Sequence, residues 1–212
     1  MRDNVPEERP WYLKPNWNCD YDLQTFMENY YGEITHFDAA FGRIVNKIEE
    51  LNLAKNTIVI FTSDHGEMLG SHGRYSKGIM HEEAVHISLI IRHPVGKKGR
   101  TDALFSSVDF LPTLLELCNL PITDTAEGCS YAPLIKGEEQ KKRQAVFVDY
   151  KGKCIISDNY KLITDKSGKE VNALYHTKED PFELKNLVDN IQFKGVKNQL
   201  HQRLITWEKD IR

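Results

Sequence analysis

Apolar residues recur along the first third of the chain at spacings of three and four, the period of a helix. Between residues 22 and 53 they alternate with charged side chains. The apolar positions are Phe26, Tyr30, Ile34, Phe37, Phe41, Ile44, Ile48 and Leu51. This pattern predicts one long amphipathic helix over 22–53, with its apolar stripe packed on a core.

Two strand-like segments follow this helix, at 57–63 and 86–92, and they contain the runs "TIVIF" and "SLII". Neither run has a polar face, which is typical of strands that are covered on both sides in a parallel sheet. We therefore predict parallel core strands at these positions, with a short third strand at 103–107. Asp109 is expected to cap the helix that follows, through "FLPTLLELC".

The pattern changes near Lys141 to short alternating segments separated by turn residues. These segments are "AVFVDY", "KCIIS", "YKLIT" and "ALYHT". They predict an antiparallel sheet from about residue 145 to 176 and, after it, an amphipathic terminal helix. Together with a proline-containing irregular segment at 1–20, this divides the chain into 1–20, an α/β core at 21–140 and a sheet-and-helix subdomain at 141–212.

Composition narrows the possible partners. The formal charge is −3 and there is no long basic run, so we expect no nucleic-acid partner. No stretch approaches the roughly 20 apolar residues of a membrane span, so we expect no membrane partner either. The four cysteines are widely spaced without a CxxC pair, which indicates packing residues and argues against a zinc site or a disulfide framework. The localisation is left unassigned.

The loop after the first apolar run carries the candidate chemistry. Asp64 and His65 follow that run directly, and in open α/β sheets ligands gather beyond the carboxyl ends of the strands. A carboxylate and a neutral imidazole suit calcium, manganese or zinc. Lys77, further along the loop, is a mobile positive charge that could hold a dianionic group. The alternative is that Asp64 caps a turn while His65 packs.

The span 30–94 resembles the sulfatase family, a branch of the alkaline phosphatase superfamily. The residues that carry the resemblance are "YYGEITHFDAAFGRIVNKIEELNLAKNTIVIFTSDHGEMLGSHGRYSKG" and "HEEAVHISLIIRHP". Two later stretches, "SSVDFLPTLLELCNLP" and "NALYHTKEDPFELKNLVDN", are also similar, so the resemblance covers about residues 21–190. It implies the C-terminal part of an alkaline phosphatase-like α/β fold, with a mixed or parallel core sheet and a small antiparallel C-terminal sheet.

The resemblance also implies roles for individual residues. Asp64 and His65 take the positions of metal ligands, with calcium expected first and manganese as the other candidate. Lys77 takes the position of the catalytic lysine that binds the sulfate group of a sulfate ester. His72 has no matching role in the family, so we expect it to support the loop.

The nucleophile motif of the family, Cys or Ser followed by x-Pro-x-Arg, has no match in this chain. None of Cys19, Cys118, Cys129 and Cys154 is followed by that pattern. The chain therefore looks like the C-terminal portion of a sulfatase, which contributes part of the metal and sulfate site and is inactive alone. Its expected partner is the missing N-terminal half, or a second copy bound through exposed core surface. Two alternatives remain open: a phosphonate or phosphate ester hydrolase of the same superfamily, and a non-catalytic domain that retains the fold.

Overall fold

The computed structural model describes residues 23–140 and 143–211. Two compact units are present, one of Met1–Lys77 with His86–Pro94 and the other of Gly78–Val85 with Val95–Arg212. The irregular segment expected at 1–20 lies outside the described residues. The boundary expected at residue 140 stays a prediction.

The first unit consists of one long helix and a two-stranded sheet. Helix α1, Leu23–Glu50, confirms the helix expected from the apolar spacing. Strands β1, Val59–Thr62, and β2, Leu89–Arg92, pair with each other. The ring of Phe61 on β1 contacts the rings of Phe37 and Phe41 on α1, with centroid distances of 5.9 and 5.2 Å. Two residues of the apolar stripe of α1, Phe37 and Phe41, therefore contact this sheet, although no residue of α1 is buried.

The prediction that these two strands are parallel is wrong. β1 and β2 pair antiparallel, with Val59 opposite Arg92 and Thr62 opposite Leu89. An apolar run reports burial but not direction, and a connection as long as 63–88 can return the chain in either sense. The expected cover on both faces is also missing for Ile90, which is 64% exposed. No strand is assigned at 103–107.

The second unit is built on a four-stranded antiparallel sheet, which confirms the prediction for the C-terminal part. Its strands, in both chain and spatial order, are β3 Ala145–Asp149, β4 Lys153–Ser157, β5 Tyr160–Thr164 and β6 Val171–His176. The terminal helix α5, Lys194–Asp210, was expected as well. The shorter helices are α2 Glu82–Val85, α3 Phe110–Leu117 and α4 Ala132–Lys136.

The core of the second unit lies between this sheet and α5. Ile155, Leu162 and Leu174 on the sheet are fully buried in one cluster with Leu204 of α5. Tight packing continues at the edge, where the rings of Phe147 and Trp207 stack at a centroid distance of 4.7 Å. Because a helix of this amphipathic kind is held mainly by its buried face, the sheet and α5 stabilise each other.

Asp109 does not cap α3 in the manner expected from the sequence. It occupies the position before the helix, but its carboxylate makes no capping bond to α3. It instead accepts hydrogen bonds from the backbone N–H of Ser106, at 2.7 Å, and of Cys129, at 2.9 Å, and pairs with Arg143 at 2.6 Å. Asp109 is completely buried, so a charged partner is needed there, and Arg143 supplies it.

No helix in the described part of the chain combines the length and the apolar character needed to span a bilayer.

Candidate functional site

Asp64 and His65 lie at the start of the loop that follows strand β1. β1 ends at Thr62, so Asp64 lies two residues beyond its carboxyl end. The Asp64 carboxylate accepts a hydrogen bond from the backbone N–H of His65 at 3.0 Å. Its side chain is 85% exposed, whereas that of His65 is 36% exposed. Asp64 therefore presents a carboxylate oxygen to solvent beside the imidazole.

The hydrogen bonds of His65 define its tautomer. Nδ1 lies 2.8 Å from the carbonyl oxygen of Gly66, and since a carbonyl only accepts, Nδ1 carries the proton. Nε2 then has a lone pair, and the ammonium of Lys77 donates to it at 2.6 Å. Oδ2 of Asp64 lies 3.4 Å from the same Nε2. The carboxylate, the imidazole lone pair and the ammonium thus converge on one point.

The loop between Gly66 and Lys77 folds back on itself, which brings Lys77 to His65. The backbone N–H of Met68 donates to the carbonyl of Ser76 at 2.9 Å, and that of Gly70 donates to Arg74 at 2.7 Å. The Glu67 carboxylate accepts from the backbone N–H of Leu69 and of Ser76. Glu67 was missed by the sequence reading, because nothing in its spacing indicates which N–H groups a loop will turn inward.

The turn of this loop uses the left-handed region of the backbone. Gly70 has φ of 89° and Gly73 has φ of 65°, values that glycine adopts without steric cost. His72, between them, has φ of 54° and is half-buried. Its expected supporting role in the loop stays a prediction.

The structure thus brings together the three residues that the sequence singled out. Within the described residues no group of three or more His, Cys, Asp or Glu side chains is placed to hold a metal ion. The carboxylate oxygen of Asp64 and the imidazole nitrogen of His65 are ligand types that suit calcium or manganese. These two side chains could supply only part of a coordination shell.

A second cluster of charged residues lies inside the second unit. Lys161 is fully buried and contacts Glu183 Oε1 at 2.5 Å and Glu82 Oε2 at 2.8 Å. The other oxygen of Glu183 lies 2.9 Å from Nδ1 of His81 and accepts from the backbone N–H of Glu82 at 3.1 Å. These contacts attach α2 to strand β5 and to the turn that contains Glu183.

The charged residues in this cluster stabilise one another's charged forms. Burial alone lowers the pKa of Lys161, but the carboxylates of Glu183 and Glu82 outweigh it, so the pKa is raised. Burial raises the pKa of Glu183, yet its hydrogen bond with His81 and the charge of Lys161 lower it overall. Both groups therefore stay charged at neutral pH. The sequence offered no signal for this cluster, because its members are far apart along the chain.

Two models of known protein families together match most of the chain. The family model "N-sulphoglucosamine sulphohydrolase, C-terminal" matches residues 70–210, and the model "Sulfatase" matches residues 5–120. The chain belongs to the sulfatase family. The resemblance read from the sequence is thereby confirmed.

Curated sulfatases are similar over nearly the whole of this chain. An N-acetylglucosamine-6-O-sulfatase of Bacteroides thetaiotaomicron is 29% identical, over 97% of this chain and 39% of that protein. An arylsulfatase of Clostridium perfringens is 32% identical, over 83% of this chain and 38% of that protein. The sulfatase chain described here therefore spans about two fifths of the length of these relatives.

Solved structures show the same fold. A structure described as a complex with its substrate D-glucosamine-2-N,6-O-disulfate superposes with a TM-score of 0.82, at 28% identity, over 88% of this sulfatase chain and 41% of that chain. The phosphonate monoester hydrolase of Agrobacterium radiobacter gives a TM-score of 0.80 at 26% identity, over 89% and 42%. The expected alkaline phosphatase-like fold class is confirmed, with both described sheets antiparallel in this chain.

Proposed function

We propose that this sulfatase-family chain contributes part of the metal site and part of the sulfate site of a sulfuric ester hydrolase. The observation that carries the proposal is the convergence of Asp64, His65 and Lys77, with Lys77 Nζ 2.6 Å from His65 Nε2. Membership of the sulfatase family supports hydrolysis of a sulfate ester as the reaction. Since the chain spans about two fifths of its relatives, the complete activity requires the remaining part of the fold.

Asp64 and His65 are the proposed ligands of a divalent ion, calcium in the first instance and manganese as the other candidate. The hydrogen bond from Nδ1 of His65 to the Gly66 carbonyl supports this role, because metal-binding histidines commonly donate their other ring N–H to such a group. A divalent ion held by these two side chains would neutralise charge on sulfate oxygens and would lower the pKa of a nucleophile. Its remaining ligands are proposed to come from water or from the N-terminal part of the fold.

Lys77 is the proposed sulfate-binding and catalytic residue. In this structure its ammonium donates to the lone pair of His65 Nε2, the same lone pair that a metal ion would use. When His65 acts as a ligand, the Lys77 ammonium must turn away, and it can then donate to a sulfate oxygen. A positive charge at that point stabilises the negative charge that develops on the sulfate oxygens in the transition state.

The nucleophile and the acid that protonates the leaving alcohol are proposed to come from an N-terminal portion of the fold. The chain has no Cys/Ser-x-Pro-x-Arg motif, and positioning of all groups together accounts for much of such catalysis. We therefore expect the chain alone to be inactive toward sulfate esters.

Calorimetric titration with calcium and manganese tests the metal site. We expect weak binding to the chain alone, because two ligands fill only part of the six to eight positions that calcium prefers. Asp64→Ala should abolish this binding, whereas Lys77→Ala should leave it intact. Asp158→Ala, a change of another exposed aspartate, is the matched control and should have no effect. Tight calcium binding that is unchanged in Asp64→Ala would contradict the proposed ligands.

Complementation tests the reaction. An N-terminal sulfatase portion that carries the nucleophile motif should restore hydrolysis of an aryl sulfate when mixed with this chain, and Lys77→Ala should lower its turnover. The phosphonate hydrolase neighbour gives a reason to test a second substrate class. If a phosphonate monoester is hydrolysed in preference to the sulfate ester, the phosphonate hydrolase alternative is correct. If metal binds tightly and neither ester is hydrolysed, the chain is a non-catalytic member of the family.

A further inference from the structure

The backbone that leads into Lys77 is held by contacts inside its own loop. The half-buried Glu67 carboxylate accepts hydrogen bonds from the backbone N–H of Leu69, at 3.3 Å, and from that of Ser76. The carbonyl of Ser76 in turn accepts from the backbone N–H of Met68 at 2.9 Å. Both backbone polar groups of Ser76, the residue directly before Lys77, are therefore bound to the opposite side of the loop.

Ser76 depends on these contacts because its backbone conformation is unfavourable. It has φ of 64°, in the left-handed region that residues with a Cβ enter at a steric cost. Such a conformation persists only where the surrounding structure imposes it. The Glu67 carboxylate on one side of Ser76 and the Met68 N–H on the other impose it here, so they also fix the direction in which the chain enters Lys77.

The outer part of the loop packs against helix α1. The ring of Tyr75 meets the ring of Phe26 edge to face, with a centroid distance of 5.5 Å. A Cβ at Gly70 would lie 2.8 Å from Cδ1 of Leu23, so the loop backbone also lies close to the start of the helix. Met68 is only 1% exposed, which anchors the side of the loop that carries Glu67. The loop therefore has a fixed frame within which one carboxylate can set the position of a neighbouring segment.

We propose that Glu67 is the positioning residue for Lys77, and that it acts by holding the backbone of Ser76. Lys77 Nζ lies 2.6 Å from His65 Nε2, at the end of a flexible four-carbon stem. Holding that ammonium at one point costs less conformational entropy when the backbone beneath it is already fixed. This inference rests on the sulfate-binding role proposed for Lys77. It adds the residue that determines where the positive charge stands, and it gives Glu67 no contact with the sulfate or the metal ion.

Nuclear magnetic resonance of the isotopically labelled chain, at one fixed pH and without metal, tests the placement of the ammonium. The reporter is the nitrogen signal of His65 Nε2, and Lys77→Ala gives its position without the donor. Glu67→Ala should move the signal toward the Lys77→Ala value. Glu67→Gln keeps an oxygen that can accept from both N–H groups, so it should leave the signal near its original position. Glu33→Ala, a change of an exposed glutamate on α1, is the matched control and should have no effect.

Titration with inorganic sulfate measures the consequence for binding. Glu67→Ala should weaken the affinity for sulfate about tenfold, in line with the loss of a hydrogen bond to a charged group. The same substitution should have no further effect in Lys77→Ala, because a residue that acts through Lys77 then has nothing left to position. Calcium binding, which is proposed to use Asp64 and His65, should persist in Glu67→Ala and shows that the site remains folded.

Several results would overturn the positioning role. They are an unchanged affinity for sulfate in Glu67→Ala, an undiminished effect of Glu67→Ala in the Lys77→Ala background, and a loss of calcium binding in Glu67→Ala. Equal weakening by Glu67→Gln and Glu67→Ala would also overturn it, since the charge of Glu67 rather than its hydrogen bonds would then matter. If Lys77→Ala itself leaves the affinity for sulfate unchanged, the proposed sulfate-binding role of Lys77 is wrong. The His65 Nε2 signal alone then decides whether Glu67 places the ammonium.

Discussion

Gly128 occupies a position where a side chain has no room. A Cβ there would lie 2.1 Å from the carbonyl oxygen of Val108 and 2.8 Å from Cα of Asp109. This close approach of two backbone segments lets the N–H of Cys129 reach the buried Asp109 carboxylate. The residue type at Gly128 is thus set by a contact between segments that are about 20 residues apart.

We expect Gly128→Ala to lower the free energy of unfolding by about 1–3 kcal/mol, because the methyl group must push two backbone segments apart. Gly99→Ala is the matched control, since no atom lies within 4 Å of a Cβ at that position. It should change stability by less than about 0.5 kcal/mol. Urea unfolding of both variants gives the measurement, and an equal effect of the two substitutions would show that the contact at Gly128 is unimportant.

Helix α2 is held in place by contacts with other parts of the chain, because it is too short to be stable by itself. Four residues, Glu82–Val85, are too few to form a stable helix alone. The Glu183 carboxylate accepts from the first N–H of this helix, and Lys161 pairs with the Glu82 side chain. The buried charged residues therefore attach α2 to the C-terminal sheet.

This attachment should depend on pH through Glu183. The pKa of Glu183 is lowered in the folded state, so its stabilising effect is complete above the unfolded-state pKa of about 4.3 and is lost as the pH falls toward the folded-state pKa. Glu183→Gln should therefore cost about 3–5 kcal/mol at pH 7, where it leaves Lys161 buried without this partner. The difference in unfolding free energy between the two proteins should shrink as the pH is lowered below about 4.3.

Chemical denaturation at pH 7 and at pH 4 or lower measures this difference. Glu179→Gln, which changes a glutamate that is 78% exposed, is the matched control and should unfold like the unmodified chain at each pH. A difference between Glu183→Gln and the unmodified chain that stays constant on acidification would rule out the proposed charge of Glu183.

The molecule as a whole exposes many large apolar side chains in its first unit. Seven of them, on α1, on the turn after it and on β2, are between 48% and 64% exposed; they are Tyr31, Ile34, Phe37, Ile44, Leu51, Leu53 and Ile90. None of the residues of α1 is buried. Apolar surface of this extent is typical of a face that another protein segment covers.

We expect the chain alone to form dimers or larger assemblies through this surface, since association removes the apolar side chains from water. Ile34→Lys combined with Ile44→Lys should shift the equilibrium toward the monomer. Val95→Lys, at a residue that is 73% exposed in the second unit, is the control and should leave it unchanged. Light scattering over a wide range of concentrations provides the test, and a monomer throughout would exclude this role of the surface.

Several features of the protein follow from the sequence by itself. The helical period predicts α1, the alternating segments predict the sheet β3–β6, and the terminal amphipathic pattern predicts α5. The proximity of Asp64, His65 and Lys77 could also be predicted, because Asp64 and His65 are adjacent and the loop to Lys77 is short enough to return. Their roles as metal ligands and as the sulfate-binding residue stay predictions. These features depend on local spacing, which a sequence displays directly.

The direction of strand pairing and the contacts between distant residues were decided only by the tertiary structure. The antiparallel pairing of β1 and β2 depends on the path of the connection between them, while their apolar composition is compatible with either direction. Asp109 and Lys161 have partners that lie far from them along the chain. Such contacts form when the whole chain closes on its core, so no local pattern of residues can specify them.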